Sequence, residues 1–150
     1  MNEHGFIRSV NNQLKLLCGG SVFVWKIHTT FSGGTPDCWY SGASGDLWVE
    51  YKYLPILPRR KKTRIIPALS ARQLSWLAER YAEGRNVLVV LGSPSGCAVV
   101  RGPEFGEGLY QNSFSLSVKE VAILLASATT ERSPPPCEQL PSTTSPAQDA

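Results

Sequence analysis

The apolar patterning of this chain predicts an α/β domain with a central mixed β-sheet flanked by helices. Three observations carry that expectation. First, Phe6, Val10, Leu14 and Leu17 recur at three- and four-residue steps, and Leu74, Leu77, Ala78 and Tyr81 do so again later, so two amphipathic helices are expected. Second, the residues between them alternate with a period of two around a Gly- and Ser-rich insert, the pattern of a β-hairpin. Third, Asn-Val-Leu-Val-Val-Leu at 86–91 is nearly all apolar, as expected of a strand covered on both faces. A helix, a strand, a hairpin, a second helix and a further strand, in that order, place helices against a sheet.

Taken in order, the first helix spans 3–17, with Asn2 as its N-cap and Cys18-Gly19-Gly20 as its stop. Residues 22–30, Val-Phe-Val-Trp-Lys-Ile-His-Thr-Thr, are rich in β-branched and aromatic types and form the first strand. Ser32-Gly33-Gly34-Thr35-Pro36 turns the chain into Asp37, which opens the next strand. Ser41 to Asp46 is turn chemistry, and Leu-Trp-Val-Glu-Tyr-Lys-Tyr follows at 47–53. Prolines at 55 and 58 make 54–64 a loop. Ser70 and Gln73 form a Ser-x-x-Gln capping box that opens the helix at 71–83, and Gly84 ends it. After 86–91 a turn leads to a return strand at 97–101. The loop at 102–108 carries Glu104 and Glu107, read as exposed charges, and Phe114 and Leu116 mark a short edge strand. Ser117-Val-Lys-Glu120 is a second capping box before an apolar helix that reaches 128. From 129 the composition turns to Ser, Thr, Pro, Glu and Gln, too poor in apolar surface to fold, so the domain is expected at 1–128 and a disordered tail at 129–150.

The 150 residues suffice for one domain with a core, and no apolar run approaches a bilayer-spanning length. The start lacks the basic and apolar regions of a signal peptide, so a cytoplasmic protein without a membrane is expected. Cys18, Cys38, Cys97 and Cys137 have no Cys-x-x-Cys spacing and read as reduced thiols. The net charge is +3. Three carboxylates against one arginine leave the last twenty residues at −2 and the remainder at +5, a balance compatible with a polyanionic partner.

The chemistry concentrates on Asp37, Glu50 and Lys52. On a strand, Leu47, Val49 and Tyr51 face one side while Trp48, Glu50 and Lys52 face the other, so a carboxylate and an ammonium stand side by side. The hairpin brings Asp37 back towards Glu50. Two converging carboxylates suit a hard divalent cation, Mg2+ or Mn2+, which takes one or two of them and keeps waters and phosphate oxygens as its other ligands. A lysine beside them can hold a water or offset charge on a phosphate, and the reaction class this suggests is metal-assisted phosphodiester hydrolysis, with no organic cofactor. Cys38 alternates away from Asp37 and belongs to the core. His28 is read as strand-end packing.

The Gly-x-Pro-Asp turn, the spacer and Glu50-x-Lys52 resemble the PD-(D/E)XK nuclease superfamily. Leu69-Ser70-Ala71-Arg72-Gln73, then Trp76-Leu77, Gly84 and an apolar strand, resemble its VRR-NUC branch, which includes small phage proteins. The resemblance covers roughly residues 3 to 92. It implies a restriction-endonuclease-like core, a Mg2+-dependent endonuclease acting on DNA, often branched or four-way junction DNA, and a homodimer. It further implies metal ligation by Asp37 and Glu50 with the Tyr51 backbone carbonyl and Glu3, a catalytic Lys52, and Gln73 near the scissile phosphate. The residues themselves leave two of these roles open, since Glu3 also suits the helix dipole and Gln73 also completes a cap.

Arg59-Arg60-Lys61-Lys62-Thr63-Arg64 places five positive charges in six residues directly after the Glu-x-Lys strand. A solvated loop or a targeting signal would also account for them. Their position favours phosphate contacts, which hold a nucleic acid without reading its sequence. Arg72 is either a further phosphate contact or a solvent-facing charge. The reading from another functional class is a non-cleaving nucleic-acid- or protein-binding module on a nuclease fold, such as a phage protein that redirects a host machine.

Overall fold

A computed structural model describes residues 1–28 and 33–131. Three helices, α1 (Glu3–Cys18), α2 (Ala71–Ala82) and α3 (Val118–Thr130), accompany five strands, β1 (Phe23–Lys26), β2 (Cys38–Gly42), β3 (Gly45–Tyr53), β4 (Val87–Ser93) and β5 (Gly96–Arg101). The sheet order is β1-β2-β3-β4-β5. β3 and β4 run parallel and the other neighbours antiparallel. The expected α/β arrangement, a central mixed sheet flanked by helices, is therefore the one adopted. The parallel pair follows from the β3–α2–β4 crossover, which a helix is long enough to make.

Each face of the sheet has its own core. Leu47, Val49 and Tyr51 of β3, with Cys38 and Tyr40 of β2, pack under α1 and α3, and the Tyr40 and Tyr51 hydroxyls share a hydrogen bond of 2.6 Å. On the other face Val87, Val89 and Leu91 of β4 pack with Leu77 of α2, Ile65, Phe105 and Phe114. β4 is buried throughout its apolar run, which explains why its sequence shows no alternation.

Several expectations shift. In α1 the buried stripe is Phe6, Ile7, Val10 and Leu14, while Leu17 is exposed and Cys18 packs against the core in its place. In α2 only Leu77 is fully buried, and Ala78 and Tyr81 lie outside. Leu74 and Trp76 pack against the second core beside it, and the exposed Tyr81 ring still meets Phe105 edge-on at 6.2 Å. Asp37 precedes β2 rather than opening it, and β1 ends at Lys26, so part of the expected strand at 22–30 is irregular and 29–30 lie outside the described residues. Phe114 and Leu116 form no strand: Leu116 makes a single bridge to Cys97 beside a short 3-10 turn at Gln111–Ser113. Cys18, Cys38 and Cys97 are free thiols, and burial pushes Cys38 and Cys97 each up to about 11.

The helix at the C-terminal end continues to Thr130, two residues beyond the expected boundary. Thr129 is fully buried, and its carbonyl accepts the Ser44 N–H of the β2–β3 turn at 2.9 Å. Gly42 is required there, since a Cβ would stand 2.4 Å from that carbonyl oxygen. The remainder of the expected tail, 132–150, lies outside the described residues. Among the described residues no helix is long and apolar enough to cross a membrane.

Candidate active site

The site forms where the C-terminal half of β3 meets the start of β2 and the N-terminus of α2. Strand alternation turns Glu50 and Lys52 away from the α1/α3 core and towards α2, as their spacing predicts. Asp37 stands just before β2. Its Oδ2 accepts the Tyr51 backbone N–H at 2.8 Å, which ties the aspartate to β3 one residue from Glu50. The preceding turn is set by Gly34, whose φ of 103° suits glycine and where an added Cβ would stand 2.6 Å from the Arg72 carbonyl oxygen. The close approach those glycines permit is therefore to the first turn of α2. Arg72 itself is exposed and lies against Gly33.

Glu50 is the centre of the cluster and is only 1% exposed. Its Oε1 accepts two charge-assisted or amide hydrogen bonds, from Lys52 Nζ at 2.7 Å and from Gln73 Nε2 at 2.5 Å. Its Oε2 is buried and has no hydrogen-bond partner among the described residues. Burial lifts the Glu50 carboxyl to about 7. The charge of Asp37 adds to the rise, Lys52 opposes it and Glu3 adds further. Burial works to lower the Lys52 pKa, but the hydrogen bond and charge of Glu50, with Glu3 and Asp37, outweigh it and hold the ammonium above its ordinary value. Glu3, half-buried in the first turn of α1, thus belongs electrostatically to the cluster.

Gln73 fills the capping role its sequence position allowed, and its amide nitrogen goes to Glu50. Its Oε1 accepts the Ser70 N–H at 2.9 Å, which closes the capping box, and its Nε2 remains to hold Glu50. The helix that carries it is anchored by Trp76 and Leu77, so the amide is placed by α2 packing rather than by a loop.

An orphaned, buried carboxylate oxygen beside a second carboxylate is a hard-oxygen donor set, and it fits a hard divalent cation. Asp37 and Glu50 would hold the ion. Among the described residues no three His, Cys, Asp or Glu side chains stand close enough to form a metal cluster, so Glu3 does not complete a third side-chain ligand in this arrangement.

The basic residues Arg59, Arg60, Lys61, Lys62 and Arg64 are all exposed, in a loop that leaves the β3 end carrying the site. The loop is pinned at its far end, where Ile65 and Leu109 exchange backbone hydrogen bonds of 2.7 Å. Lys61 and Lys62 line a depression with Tyr110 and Asn112. Glu104 and Glu107 are exposed and remote in sequence from the cluster. A cleft of about 660 Å³ lined by Arg85, Arg101 and Tyr81 opens at the opposite end of the sheet, near Leu47 and Val87, and contains none of the clustered carboxylates.

Fold and site together define an α/β domain with a buried carboxylate, Glu50, held by Lys52 and Gln73 and influenced by the charge of Asp37, on its parallel strand pair. No protein-family model and no curated protein matches the chain. Among solved structures, it is similar to a Holliday junction resolvase of the archaeal hyperthermophile Archaeoglobus fulgidus, at 18% identity and a TM-score of 0.47, covering 79% of this chain and 98% of that one.

Proposed function

We propose that this chain is a Mg2+- or Mn2+-dependent endonuclease of the PD-(D/E)XK kind that hydrolyses phosphodiester bonds in DNA. The observation that supports it most is Glu50, buried with one oxygen orphaned, yet bounded by Asp37, Lys52 and Gln73. A purely structural acid would be costly to bury in this way.

In this reading Asp37, Glu50 and the Tyr51 carbonyl hold the ion, with Glu3 steadying the site by its charge. The bound ion supplies Lewis-acid polarisation of the phosphate and acidifies water. Lys52 orients the attacking water and offsets charge developing on the phosphoryl oxygens. Gln73 fixes the Glu50 carboxylate and presents its amide at a helix N-terminus, where anions are favoured. Arg59, Arg60, Lys61, Lys62, Arg64 and Arg72 hold the nucleic-acid backbone. The Ser70–Gln73 helix and the apolar β4 that follows it support the VRR-NUC branch. Paired cuts in branched DNA need two such sites, hence a homodimer.

The test is cleavage of linear, flapped and four-way DNA with Mg2+ or Mn2+, run beside Lys52→Ala. Metal-dependent cleavage by the parent and its loss in the variant are expected. Binding without cleavage under every condition would overturn the enzymatic reading in favour of a non-cleaving module.

A further inference from the structure

The basic run at 59–64 faces a second wall that comes from a distant part of the chain. Lys61 and Lys62 share a depression of about 480 Å³ with Tyr110 and Asn112. Both walls are held to the core. On one side the Thr63 N–H closes a turn onto the Arg60 carbonyl at 3.0 Å, with the two lysines between them. The chain then enters Ile65, which is buried in the second core and exchanges backbone hydrogen bonds of 2.7 Å with Leu109. On the other side Tyr110 heads the 3-10 turn at Gln111–Ser113. The Ser113 N–H donates to the Tyr110 carbonyl at 2.9 Å, and buried Phe114 follows. Gly108 lets the walls meet, because the Arg64 side chain lies where any side chain on residue 108 would stand.

The lining is two ammonium groups, one phenol ring and one carboxamide, with no carboxylate. Tyr110 is 46% exposed, and the other three are exposed as well. Among the described residues none of the four side chains is hydrogen-bonded or ion-paired. One exposed tyrosine is ordinary. A ring, an amide and two cations left free on one pinned frame suit a particular ligand chemistry. The lysines suit a phosphate, the ring suits a flat base, and the amide both donates and accepts, as the edge of a base does. A nucleotide carries all three groups. A carboxylate-rich peptide would satisfy the lysines and leave the ring and the amide unused. The volume falls within the ~300–1,000 Å³ usual for small-ligand sites.

We infer that this depression receives one unstacked nucleotide of the substrate, with its phosphate on Lys61 and Lys62, its base against Tyr110 and its base edge at Asn112. A base inside a duplex must be extruded to reach the ring, and the cost is least where it is already unpaired. The depression therefore selects bulged, mismatched or branch-point DNA over blunt duplex. Arg59, Arg60 and Arg64 hold the flanking backbone without discriminating. That the ligand is DNA rests on the nuclease reading above; the depression is tested by binding alone.

Binding of the full chain is measured in EDTA, without cleavage, by anisotropy of two labelled duplexes. One is blunt and fully paired; the other carries a single bulged 2-aminopurine, whose fluorescence reports stacking. The bulged duplex is expected to bind more tightly. Tyr110→Ala should weaken its binding about tenfold, as for one lost stacked base, and leave blunt-duplex binding unchanged. The 2-aminopurine should be dimmer in the parent complex than in the Tyr110→Ala complex. Tyr110→Phe keeps the ring and should match the parent, which separates stacking from a disturbed loop. A Lys61→Gln, Lys62→Gln double variant should weaken both duplexes and lower the salt slope by about 1.8, at ~0.9 per lost contact. Equal parent affinity for the two duplexes, no loss or equal losses in Tyr110→Ala, or a Tyr110→Phe variant as weak as Tyr110→Ala overturns the inference. So does a polyglutamate peptide that displaces the bulged duplex from the parent but not from Tyr110→Ala, which would make the depression a protein-docking site. If the binding pattern appears without metal-dependent cleavage, the depression stands and the enzymatic reading fails. If cleavage appears and Tyr110→Ala binds the bulged duplex like the parent, the enzymatic reading stands and the depression fails.

Discussion

Helices α2 and α3 open with the same local device and put it to different use. In each, a serine hydroxyl accepts the N–H three residues on at 3.2 Å, and that residue's side-chain oxygen accepts the serine N–H in return. At α3 the returning residue is Glu120, exposed, and backbone hydrogen bonding to Ser117 lowers its pKa. At α2 it is Gln73. A carboxylate has only acceptor oxygens, whereas an amide that has used its oxygen still has a nitrogen to donate. That nitrogen reaches Glu50. Glutamine thus lets one residue cap a helix and hold a buried acid, and a glutamate there would set a third negative charge beside Glu50 and Asp37. The residue type at the capping position is decided by what lies beneath it.

The comparison breaks most directly if the cluster under α2 does no chemistry. Asp37→Ala and Lys52→Ala are each expected to lower metal-dependent cleavage by about 10³-fold or more while leaving far-UV circular dichroism unchanged. Variants that cut as fast as the parent would sink the assignment. The next effect isolates the amide. Gln73→Glu keeps both capping bonds and removes the donor to Glu50, so cleavage should fall by roughly 10²-fold with little change in Tm. The mirror substitution, Glu120→Gln, should leave cleavage as it was, and parallel rate measurements on the two proteins decide the point.

The pH dependence sharpens the contrast. Glu50 is lifted from 4.5 to about 7, so between those values the folded protein keeps a proton that the unfolded chain has released. Stability therefore falls as pH rises through that window and levels off above it. Melting curves from pH 4.5 to 8 should show that decline, flattened in Glu50→Gln. Cleavage should run the other way, falling below about pH 7 as the carboxylate is protonated. Glu120 has the opposite sign: its stabilising contribution is present above the ordinary carboxylate range and is lost as pH falls through its lowered pKa. The smallest effect is shared. Ser70→Ala and Ser117→Ala should each cost about 1 kcal/mol in denaturant unfolding, and only the first should also slow cleavage.

Much of this was legible in the chain. The alternation of 47–53 placed Glu50 and Lys52 together on the face away from the α1/α3 core, since a period of two permits nothing else. The capping boxes marked the starts of α2 and α3 because their chemistry is local. What escaped depended on contacts distant in sequence. Ala78 and Tyr81 sit at helical spacing with Leu74 and Leu77, yet only Leu77 is fully buried, and Tyr81 meets Phe105 while staying 43% exposed. The bond from Gln73 to Glu50 spans 23 residues, which no local pattern reveals. The run at 59–64 was conspicuous because its charges are adjacent, which is no measure of how close they stand to Glu50.

The clasp between Thr129 and the β2–β3 turn decides how far the chain can be trimmed. A protein shortened at residue 128 would strip the Ser44 amide of its acceptor and uncover the tip of the hairpin that Gly42 lets the helix touch. Shortening after Glu131 spares that clasp, so a shortened chain should keep at least residues 1–131.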